Sequence, residues 1–363
     1  MARQRIKTRQ VRAGNLLIGG DAPVSIQSMT NLPIEDVEGT IGQIRRLADA
    51  GADLVRLAVL NEDAIPCLAQ IRRAVDLPLS ADIHFNYRLA IRAMESGINK
   101  VRINPGNIGS RERVLEVVRA AREHGVPLRI GVNGGSLDRT RYPDGSPQSL
   151  ADSALDHVKI LEDAGFQDIV VSLKSSDLFQ TIEANRLFSL QRDYPLHVGL
   201  TEAGYGLGCI VQSSLAIGHL LLIGMGDTVR VSMTGDPVEE IAVAARILQS
   251  VGERFVPVRL IACPTCGRTD PEVNLLEIAR EVEEDLLHRY GRDLAERKRT
   301  LTVAVMGCEV NGPGEASHAD VGIAGARNNS FLLFAGGQKL KKIPRSEVRS
   351  ALAAAVEELL QRW

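Results

Sequence analysis

Apolar runs alternate with amphipathic segments from residue 24 to about residue 250. The runs are rich in Val, Ile and Leu and mostly uninterrupted, as is typical of parallel strands that are buried on both faces. Eight runs fit this description: Val24–Met29, Asp53–Val59, Pro78–His84, Lys100–Pro105, Leu128–Asn133, Asp168–Leu173, Leu196–Thr201 and Thr228–Met233. The amphipathic segments between them end at glycines such as Gly51, Gly125 and Gly165, which are typical helix C-caps. Eight strand–helix units predict a (β/α)8 TIM-type barrel. A doubly wound sheet is the alternative, but the Gly-x-Gly-x-x-Gly motif that would support it does not follow the first strand.

The pattern differs at both ends of this region. Before it, residues Val11 to Val24 predict a hairpin that turns at Gly19-Gly20. After an eighth helix at Pro237–Gln249, the segment 251–257 is typical of a linker. Beyond it the sequence predicts a helix up to about Tyr290, the strands Thr300–Met306, Ala319–Ala324 and Ser330–Phe334, and a final helix from about Ser346. We therefore expect residues 1–255 to form the barrel and residues 256–363 to form a small α+β domain.

Composition narrows the class of protein. Of 363 residues, 24% are charged and the formal net charge is −2, which gives no support for a nucleic-acid or membrane-surface role. No apolar core follows the basic N-terminus, so no signal peptide is predicted. The most apolar stretch, Ser214 to Met225, is broken by Gly218, His219 and Gly224, so it predicts a buried helix rather than a membrane span. Five cysteines do not suggest a disulfide framework, and we expect a cytoplasmic protein.

Cationic side chains recur on the predicted strands. Arg56, Arg102, Arg129, Lys174 and Arg230 belong to five of them, although Arg56 and Arg129 sit early in their strands, and barrels carry their chemistry at the carboxyl ends of the strands. The same strands offer only two obvious acids, Asp82 and Glu202. A single such cation is more often a structural ion pair, and Arg56 and Arg129 in particular could pair with those acids inside the barrel. The surplus of five cations over two acids nevertheless predicts a multiply anionic small ligand such as a diphosphate.

Three cysteines in the second domain have the spacing of a metal site. Cys263 and Cys266 form a Cys-Pro-Thr-Cys turn, and Cys308 follows some forty residues later on a glycine-rich segment. Three interpretations stay open from the residues alone: an iron–sulfur cluster held by three thiolates, a zinc site completed by His288 or His318, and a thiol redox pair. Cys67 and Cys209 bear no spacing relation to the site and are expected to be buried small hydrophobes.

Nine motifs along nearly the whole chain resemble one family. They are Ile26-Gln27-Ser28-Met29-Thr30-Asn31, Ala81-Asp82-Ile83-His84-Phe85, Val101-Arg102-Ile103-Asn104-Pro105-Gly106-Asn107, Arg129-Ile130-Gly131-Val132-Asn133, Ser172-Leu173-Lys174-Ser175-Ser176, Thr201-Glu202-Ala203-Gly204, Gly226-Asp227-Thr228-Val229-Arg230-Val231-Ser232, Cys263-Pro264-Thr265-Cys266-Gly267-Arg268 and Asn311-Gly312-Pro313-Gly314-Glu315. The sequence resembles the 4-hydroxy-3-methylbut-2-enyl diphosphate synthases (IspG, also called GcpE) of the non-mevalonate isoprenoid pathway. With no long insertion between the domains, it is similar to the compact two-domain bacterial form.

The resemblance implies an iron–sulfur oxidoreductase. Its substrate would be 2-C-methyl-D-erythritol 2,4-cyclodiphosphate, which is opened reductively with electrons from flavodoxin or ferredoxin. It implies a 4Fe-4S cluster on Cys263, Cys266 and Cys308, with Glu315 as a fourth, more labile ligand that takes part in catalysis. Glu202 would donate a proton to the departing hydroxyl, and we expect burial to keep it protonated. The implied substrate contacts are Arg56, Asp82, His84, Arg102, Asn104, Arg129, Asn133, Lys174, His197, Arg230 and Ser232.

Chain topology adds an expectation about assembly. The eighth helix of a barrel returns the chain to the face opposite the catalytic one, and about a dozen linker residues reach at most ~40 Å. A head-to-tail homodimer, in which each cluster domain covers the barrel of the other subunit, avoids this difficulty and is also implied by the resemblance. The alternative function is a phosphate-binding barrel aldolase or isomerase that uses Lys174 as a Schiff-base amine and the cysteine domain as a structural zinc module.

Overall fold

The chain consists of two compact units. A computed structural model describes residues 5–271, 273–308, 314 and 316–363. Contacts within the chain separate Met1–Arg254 from Phe255–Trp363. The first unit is a parallel barrel and the second is a mixed sheet with helices.

A short hairpin precedes the barrel. Strands β1 (Val11–Ala13) and β2 (Leu16–Ile18) are antiparallel, and Ala13 pairs with Leu16. The turn therefore lies at Gly14-Asn15, and the predicted turn at Gly19-Gly20 is wrong. Gly14 has a φ of +63°, which a glycine adopts at no steric cost, so it provides the turn that the Gly-Gly pair was expected to provide.

Eight parallel strands form the barrel sheet, as the apolar runs predicted. They are β3 (Ser25–Met29), β4 (Leu54–Ala58), β5 (Leu79–Asp82), β6 (Lys100–Ile103), β7 (Leu128–Asn133), β8 (Ile169–Lys174), β9 (His197–Val198) and β10 (Thr228–Val229). Their order is β8-β7-β6-β5-β4-β3-β10-β9. A parallel bridge between Val171 and Leu196 joins the two edge strands, so the sheet curls into a nearly closed barrel.

Helices follow the strands and cover the outside of the barrel. They are α1 (Val37–Asp49), α2 (Ala64–Ala74), α3 (Tyr87–Glu95), α4 (Pro105–Ile108), α5 (Arg111–His124), α6 (Pro147–Asp163), α7 (Leu178–Ser189), α8 (Gly206–Leu222) and α9 (Pro237–Val251), with a 3-10 turn at Gly134–Ser136. Several begin at side-chain caps in the loops that follow the strands. Asp177 accepts a hydrogen bond from the Gln180 amide and Asp236 accepts one from the Val238 amide. These caps fix where the helices begin after the loops at the carboxyl ends of the strands.

Two barrel strands are shorter than their apolar runs. Ladder pairing in β9 and β10 covers only two residues each, whereas the runs predicted Leu196–Thr201 and Thr228–Met233. Gly199 explains the early end, because a Cβ there would lie 2.2 Å from the Arg230 carbonyl oxygen. The two backbones approach too closely at this level for regular pairing, and their following residues turn toward the barrel mouth.

The second unit is a five-stranded sheet with two long helices. Its strands are β11 (Val258–Ala262), β12 (Leu301–Met306), β13 (Val321–Ala326), β14 (Ser330–Ala335) and β15 (Gln338–Pro344), and its helices are α10 (Leu275–Arg297) and α11 (Val348–Arg362), preceded by a 3-10 turn at Arg345–Glu347. Strands β11 to β13 are parallel and β13 to β15 are antiparallel. Leu286 and Val356 pack with Val303 in its core. The predicted α+β architecture is confirmed, although β11 and β15 were not foreseen.

Among the residues that the structure describes, no helix is long and apolar enough to cross a membrane.

Candidate functional site

The cations predicted from the sequence lie on or directly after five strands of the barrel, at different heights. Arg56 on β4 is in register with Ser80 on β5, and Arg102 on β6 is in register with both Asp82 and Arg129. Lys174 ends β8 and Arg230 directly follows β10. Burial, and then the charges of Arg56, Arg102 and Arg230, lower the pKa of Arg129, and burial with the charge of Arg129 lowers the pKa of Lys174. The five side chains are therefore near enough to form one group, which we call the cationic mouth: Arg56, Arg102, Arg129, Lys174 and Arg230.

Asp82 is the acid at the centre of this group. Its carboxylate lies 3.4 Å from Arg56 Nε and 3.1 Å from Arg102 Nη1. Burial alone favours the neutral acid, but the charges of Arg56 and Arg102 and a hydrogen bond from His84 hold the pKa of Asp82 well below its usual range. Asp82 therefore stays ionised at neutral pH and organises the mouth. The structural ion pair that the sequence left open for Arg56 exists with Asp82.

Glu240 is a second acid that the sequence analysis missed. It lies on α9, outside the strands, and is buried. Arg230 Nη2 donates to Glu240 Oε1 over 2.9 Å, and the Met233 amide and the Ser28 hydroxyl also donate to its carboxylate. The sequence does place Glu240 four residues beyond the predicted start of the helix at Asp236. Only the packing of α9 shows that the first turn of this helix faces inward.

Several buried donors in the barrel have no acceptor among the described residues. They are Arg102 Nε, Arg129 Nε and Nη1, and Gln27 Nε2. Arg129 is 3% exposed, and no acid pairs with it in the described chain. Buried polar groups in folded proteins nearly always find partners, and guanidinium groups with free donors in a common interior suit phosphate or carboxylate oxygens.

Two buried lysines and a histidine extend the group. Lys174 is 7% exposed and Lys100, on β6, is 0% exposed, with its Nζ donating to Gln27 Oε1 over 3.0 Å. Burial, with the charge of Arg129, lowers the pKa of both lysines well below its ordinary value. Burial, reinforced by Lys174, likewise lowers the pKa of His197, which remains neutral. A bound anion would raise the pKa of the two lysines, because its negative charge favours their protonated forms.

The remaining predicted contacts lie at or beyond the ends of the barrel strands. His84 is exposed, with Nε2 3.3 Å from Arg102 Nη1. Asn104 is buried just beyond β6, while Asn133, which ends β7 in register with Lys174, and Ser232 are half-buried. Asn104 and Asn133 offer amide groups and Ser232 offers a hydroxyl group.

Glu202 departs from its predicted environment. It is exposed, so this chain alone does not provide the burial that was expected for it. Its φ is +55°, a left-handed conformation that non-glycine residues seldom adopt. Such strain persists only where surrounding structure imposes it, and it often marks functional positions.

The cysteines of the second unit follow two neighbouring parallel strands. Cys263 comes directly after β11 and Cys308 lies two residues beyond β12, at the carboxyl ends of both strands. The Gly307 amide donates to Cys263 Sγ over 3.1 Å, and Arg268 Nε donates to Cys266 Sγ over 3.5 Å. All five cysteines of the chain are free thiols. The fold thus brings two distant cysteines to the same sheet edge and supplies donors for their sulfur atoms.

The backbone around these thiols suits thiolate ligation. Thr265, between Cys263 and Cys266, has a φ of +59°, which is rare for a β-branched residue and indicates a strained turn. A Cβ at Gly307 would lie 3.3 Å from Cys263 Sγ, so this glycine leaves space beside the sulfur. Within the described ranges no three His, Cys, Asp or Glu side chains gather as a site for a single metal ion. Glu315 lies outside the described residues.

The other two cysteines are separate from this site. Cys209, on α8, is buried beside Ser213, and burial raises the pKa of its thiol. Cys67, on α2, is half-buried and its Sγ donates to the Asp63 carbonyl over 3.7 Å. Both are helical residues of the barrel unit, so burial is as expected for Cys209 and only partial for Cys67.

The fold and these side chains define a class of protein: a (β/α)8 barrel with a cationic mouth, joined to a small α+β domain that carries thiols at its strand ends. Comparison with known proteins then places the chain. It belongs to the GcpE family, because the model for the GcpE TIM-barrel domain matches residues 8–245 and the model for the GcpE protein C-terminal domain matches residues 259–358.

Curated relatives match over almost the full chain. A protein of Clostridium perfringens is 49% identical over 98% of this chain and 99% of its own length. One of Geobacter sulfurreducens is 48% identical over 98% of both chains. Both are named 4-hydroxy-3-methylbut-2-en-1-yl diphosphate synthase (flavodoxin). The resemblance identified from the motifs is confirmed, and the synthase interpretation is supported over the aldolase or isomerase alternative.

Two solved structures share the barrel fold with this chain. A dihydropteroate synthase of Stenotrophomonas maltophilia superposes with a TM-score of 0.51 at 16% identity, covering 68% of this chain and 98% of that chain. One of Yersinia pestis gives a TM-score of 0.50 at 13% identity, covering 67% and 98% respectively. At this identity the likeness concerns the fold alone.

Proposed function

We propose that this chain is a cytoplasmic 4-hydroxy-3-methylbut-2-enyl diphosphate synthase that reductively opens 2-C-methyl-D-erythritol 2,4-cyclodiphosphate. The reaction breaks the ring bond between carbon and a phosphate oxygen, and a neighbouring hydroxyl leaves as water. Two electrons and a proton are consumed, and an allylic diphosphate forms. The names of the curated relatives support the activity, and the free state of all five cysteines suits a reducing compartment.

The cationic mouth carries the proposal for substrate binding. Arg129 presents two unpaired buried donors, and Arg102 presents one. Guanidinium forks match the spacing of phosphate oxygens, and Lys174 adds a point charge beside them. Arg56 and Arg230 are already held by Asp82 and Glu240, so they orient the mouth and share their remaining donors with the ligand. Asn104, Asn133, His84, His197 and Ser232 complete the proposed contacts.

The thiols of the second unit carry the proposal for the cofactor. Cys263, Cys266 and Cys308 would hold a 4Fe-4S cluster, with Glu315 as a fourth and exchangeable ligand. When bound, such a cluster supplies single electrons and Lewis acidity. The Gly307 amide and the Arg268 guanidinium donate to two of the ligand sulfurs and would keep those thiolates in place.

The proton for the departing hydroxyl must come from an acid that can be protonated near neutral pH. Asp82 is unsuitable, because Arg56 and Arg102 keep its pKa well below the usual range. We assign the role to Glu202, which lies on the loop after β9 and has a strained conformation. Because Glu202 is exposed in this chain, we propose that another surface covers it during turnover.

We propose a homodimer in which the cluster domain of one subunit provides that cover for the other. Large apolar side chains are exposed on loops, or at the start of a helix, after the barrel strands: Leu60 is 75% exposed, Phe85 74%, Phe179 78% and Tyr205 79%. Exposed apolar groups clustered around a polar mouth are typical of a surface that becomes buried. The segment 252–257 would act as the hinge for domain closure.

Electrons would arrive from a one-electron carrier. The curated relatives carry the word flavodoxin in their names, and we propose flavodoxin rather than ferredoxin as the donor for this chain. Reduced flavodoxin supplying turnover at a rate that reduced ferredoxin does not match would support this choice, and the reverse preference would contradict it.

Anaerobic purification with iron and sulfide analysis tests the proposal. We expect about four irons and four sulfides per chain, and conversion of the cyclic diphosphate by the reduced protein. Cys263→Ala should lose the cluster and the activity, whereas the matched Cys67→Ala variant should retain both. Stoichiometric zinc without sulfide, or a Cys263→Ala variant that keeps its iron, would contradict the assignment of a 4Fe-4S cluster to these cysteines.

A further inference from the structure

The Thr269 hydroxyl is buried and has no hydrogen-bond partner in the described chain. Its Oγ1 is among the few buried side-chain oxygens without one. The Thr269 amide donates to the Cys266 carbonyl over 2.9 Å, so the turn that contains Cys266 fixes the position of this residue. A buried hydroxyl without a hydrogen bond destabilises the fold, and such a group in a native structure requires an explanation.

The hydroxyl faces the same gap as the Cys263 sulfur. A Cβ placed on Gly307 would lie 2.4 Å from Thr269 Oγ1 and 3.3 Å from Cys263 Sγ. The absent Cβ thus leaves a small space that is bounded by one hydroxyl donor, one thiol and the Gly307 amide. That amide already donates to Cys263 Sγ over 3.1 Å.

The chemistry of the gap points to a sulfur acceptor. Cys263 Sγ borders this space. As a metal ligand, the Cys263 thiol would be a thiolate. An inorganic sulfide of a cluster would carry the same kind of negative charge. Either sulfur could accept a hydrogen bond from the hydroxyl.

We propose that Thr269 is a positioning residue that donates a hydrogen bond to the Cys263 thiolate or an adjacent cluster sulfide, and so makes the cluster easier to reduce. The inference rests on the proposed cluster and goes beyond it, because it concerns the energy at which the electron enters. Hydrogen bonds to cluster sulfurs withdraw negative charge and stabilise the reduced state, which has one more electron.

A merely structural role for Thr269 gives different expectations. Threonine and valine have nearly the same shape, so a packing role would survive Thr269→Val, whereas a hydrogen bond would not. Serine keeps the hydroxyl and loses only a methyl group. The pair of variants therefore separates the donor from the volume of the side chain.

The test uses anaerobically prepared wild-type protein and the variants Thr269→Val and Thr269→Ser. Iron and sulfide are measured first, and an empty wild-type protein would contradict the proposed function itself. The loaded proteins are then titrated with a reductant and followed by visible absorbance and EPR. We expect Thr269→Val to favour the oxidised cluster by about tenfold, ~59 mV for one electron, while Thr269→Ser stays near wild type. A deuterium-exchangeable proton coupled to the cluster spin should disappear only in Thr269→Val.

Three results would overturn the inference. They are a wild-type potential in Thr269→Val, equal shifts in both variants, and retention of the exchangeable proton in Thr269→Val. If the valine variant takes up no cluster, Thr269→Ala replaces it, since it also lacks the hydroxyl. Loss of loading in the valine and alanine variants but not in the serine variant supports the hydroxyl contact, and loss in all three contradicts it.

Discussion

At the scale of residues, two acids and their cations determine the character of the mouth. Asp82 pairs with Arg56 and Arg102, Glu240 pairs with Arg230, and Arg129 has no acid partner among the described residues. We infer from this uneven distribution that the site binds an anion, because paired cations serve as scaffold and unpaired ones are available to a ligand. Removing a scaffold acid should therefore have a larger effect on folding than removing an exposed one.

We expect Asp82→Asn to destabilise the barrel by about 3–5 kcal/mol, because it leaves Arg56 and Arg102 buried without their counter-charge. The matched substitution Asp193→Asn breaks an exposed pair with Arg9 and should cost at most about 1 kcal/mol. Urea unfolding followed by circular dichroism measures both. Pyrophosphate should restore more stability to Asp82→Asn than to wild type, and equal costs for the two variants would contradict the role of Asp82.

Lys100 gives a prediction of opposite sign. It is fully buried with no acid partner in the described chain, so Lys100→Met should raise stability by about 1–2 kcal/mol at pH 7. Burial lowers the pKa of Lys100 in the folded state, so the folded chain binds fewer protons than the unfolded chain below about pH 10.4. Wild-type stability should therefore rise from pH 7 toward pH 10, and the advantage of the variant should shrink over that range.

The control for this prediction is Lys159→Met, which removes an exposed lysine of α6 and should change stability by less than about 0.5 kcal/mol. A Lys100→Met protein that is less stable than wild type at pH 7 would show that the ammonium has a partner worth more than its burial costs.

Residues on the strands were predictable, and residues on the helices were not. Asp82 and the five cations lie in apolar runs where a polar side chain stands out in the sequence. Glu240 lies in a helix whose surface is full of charges, and its inward direction depends on how α9 packs against the sheet. The exposed state of Glu202 was missed for a related reason, since backbone strain at one loop residue leaves no signal in the sequence.

At the scale of elements, strand ends position the chemistry in both units. Parallel strands place their following residues at one edge, which brings Cys263 and Cys308 together although they are far apart in the chain. The apolar runs predicted the eight barrel strands well because buried parallel strands are continuous apolar segments. Strands β11 and β15 were not predicted, since β11 is only partly buried and β15 is mostly exposed and lysine-rich.

Gly307 provides the test of the thiol turn. We expect Gly307→Ala to lose most of its iron and sulfide, because the new Cβ would lie 2.4 Å from Thr269 Oγ1 and 3.3 Å from Cys263 Sγ. Gly267→Ala is the matched control in the Cys-x-x-Cys segment, since a Cβ there meets no atom within 4 Å and its φ is not positive. Metal analysis and visible absorbance of both proteins decide, and full loading of Gly307→Ala would refute the proposed use of that space.

At the scale of the whole molecule, the mouth and the thiols belong to two separately folded units joined by a short segment. Strand β11 begins at Val258, only a few residues after α9 ends at Val251. Residues of both units are needed for the proposed reaction. A short connection limits how a unit launched from the bottom of a barrel can cover the top of the same barrel, which is why we propose a shared site between two subunits.

Mixing two inactive variants tests the shared site. Cys263→Ala removes the cluster and Glu202→Ala removes the proton donor, so each homodimer should be inactive. If each site draws its cluster and its Glu202 from different subunits, a mixed dimer contains one intact site. Random exchange in an equal mixture should then restore about a quarter of the wild-type activity.

If both groups come from one subunit, every site in the mixture carries a defect and no activity returns. The control mixture of Cys263→Ala with Cys308→Ala lacks an intact cluster in either arrangement and should stay inactive. Light scattering confirms that the variants still dimerise, so an inactive first mixture would exclude the shared site.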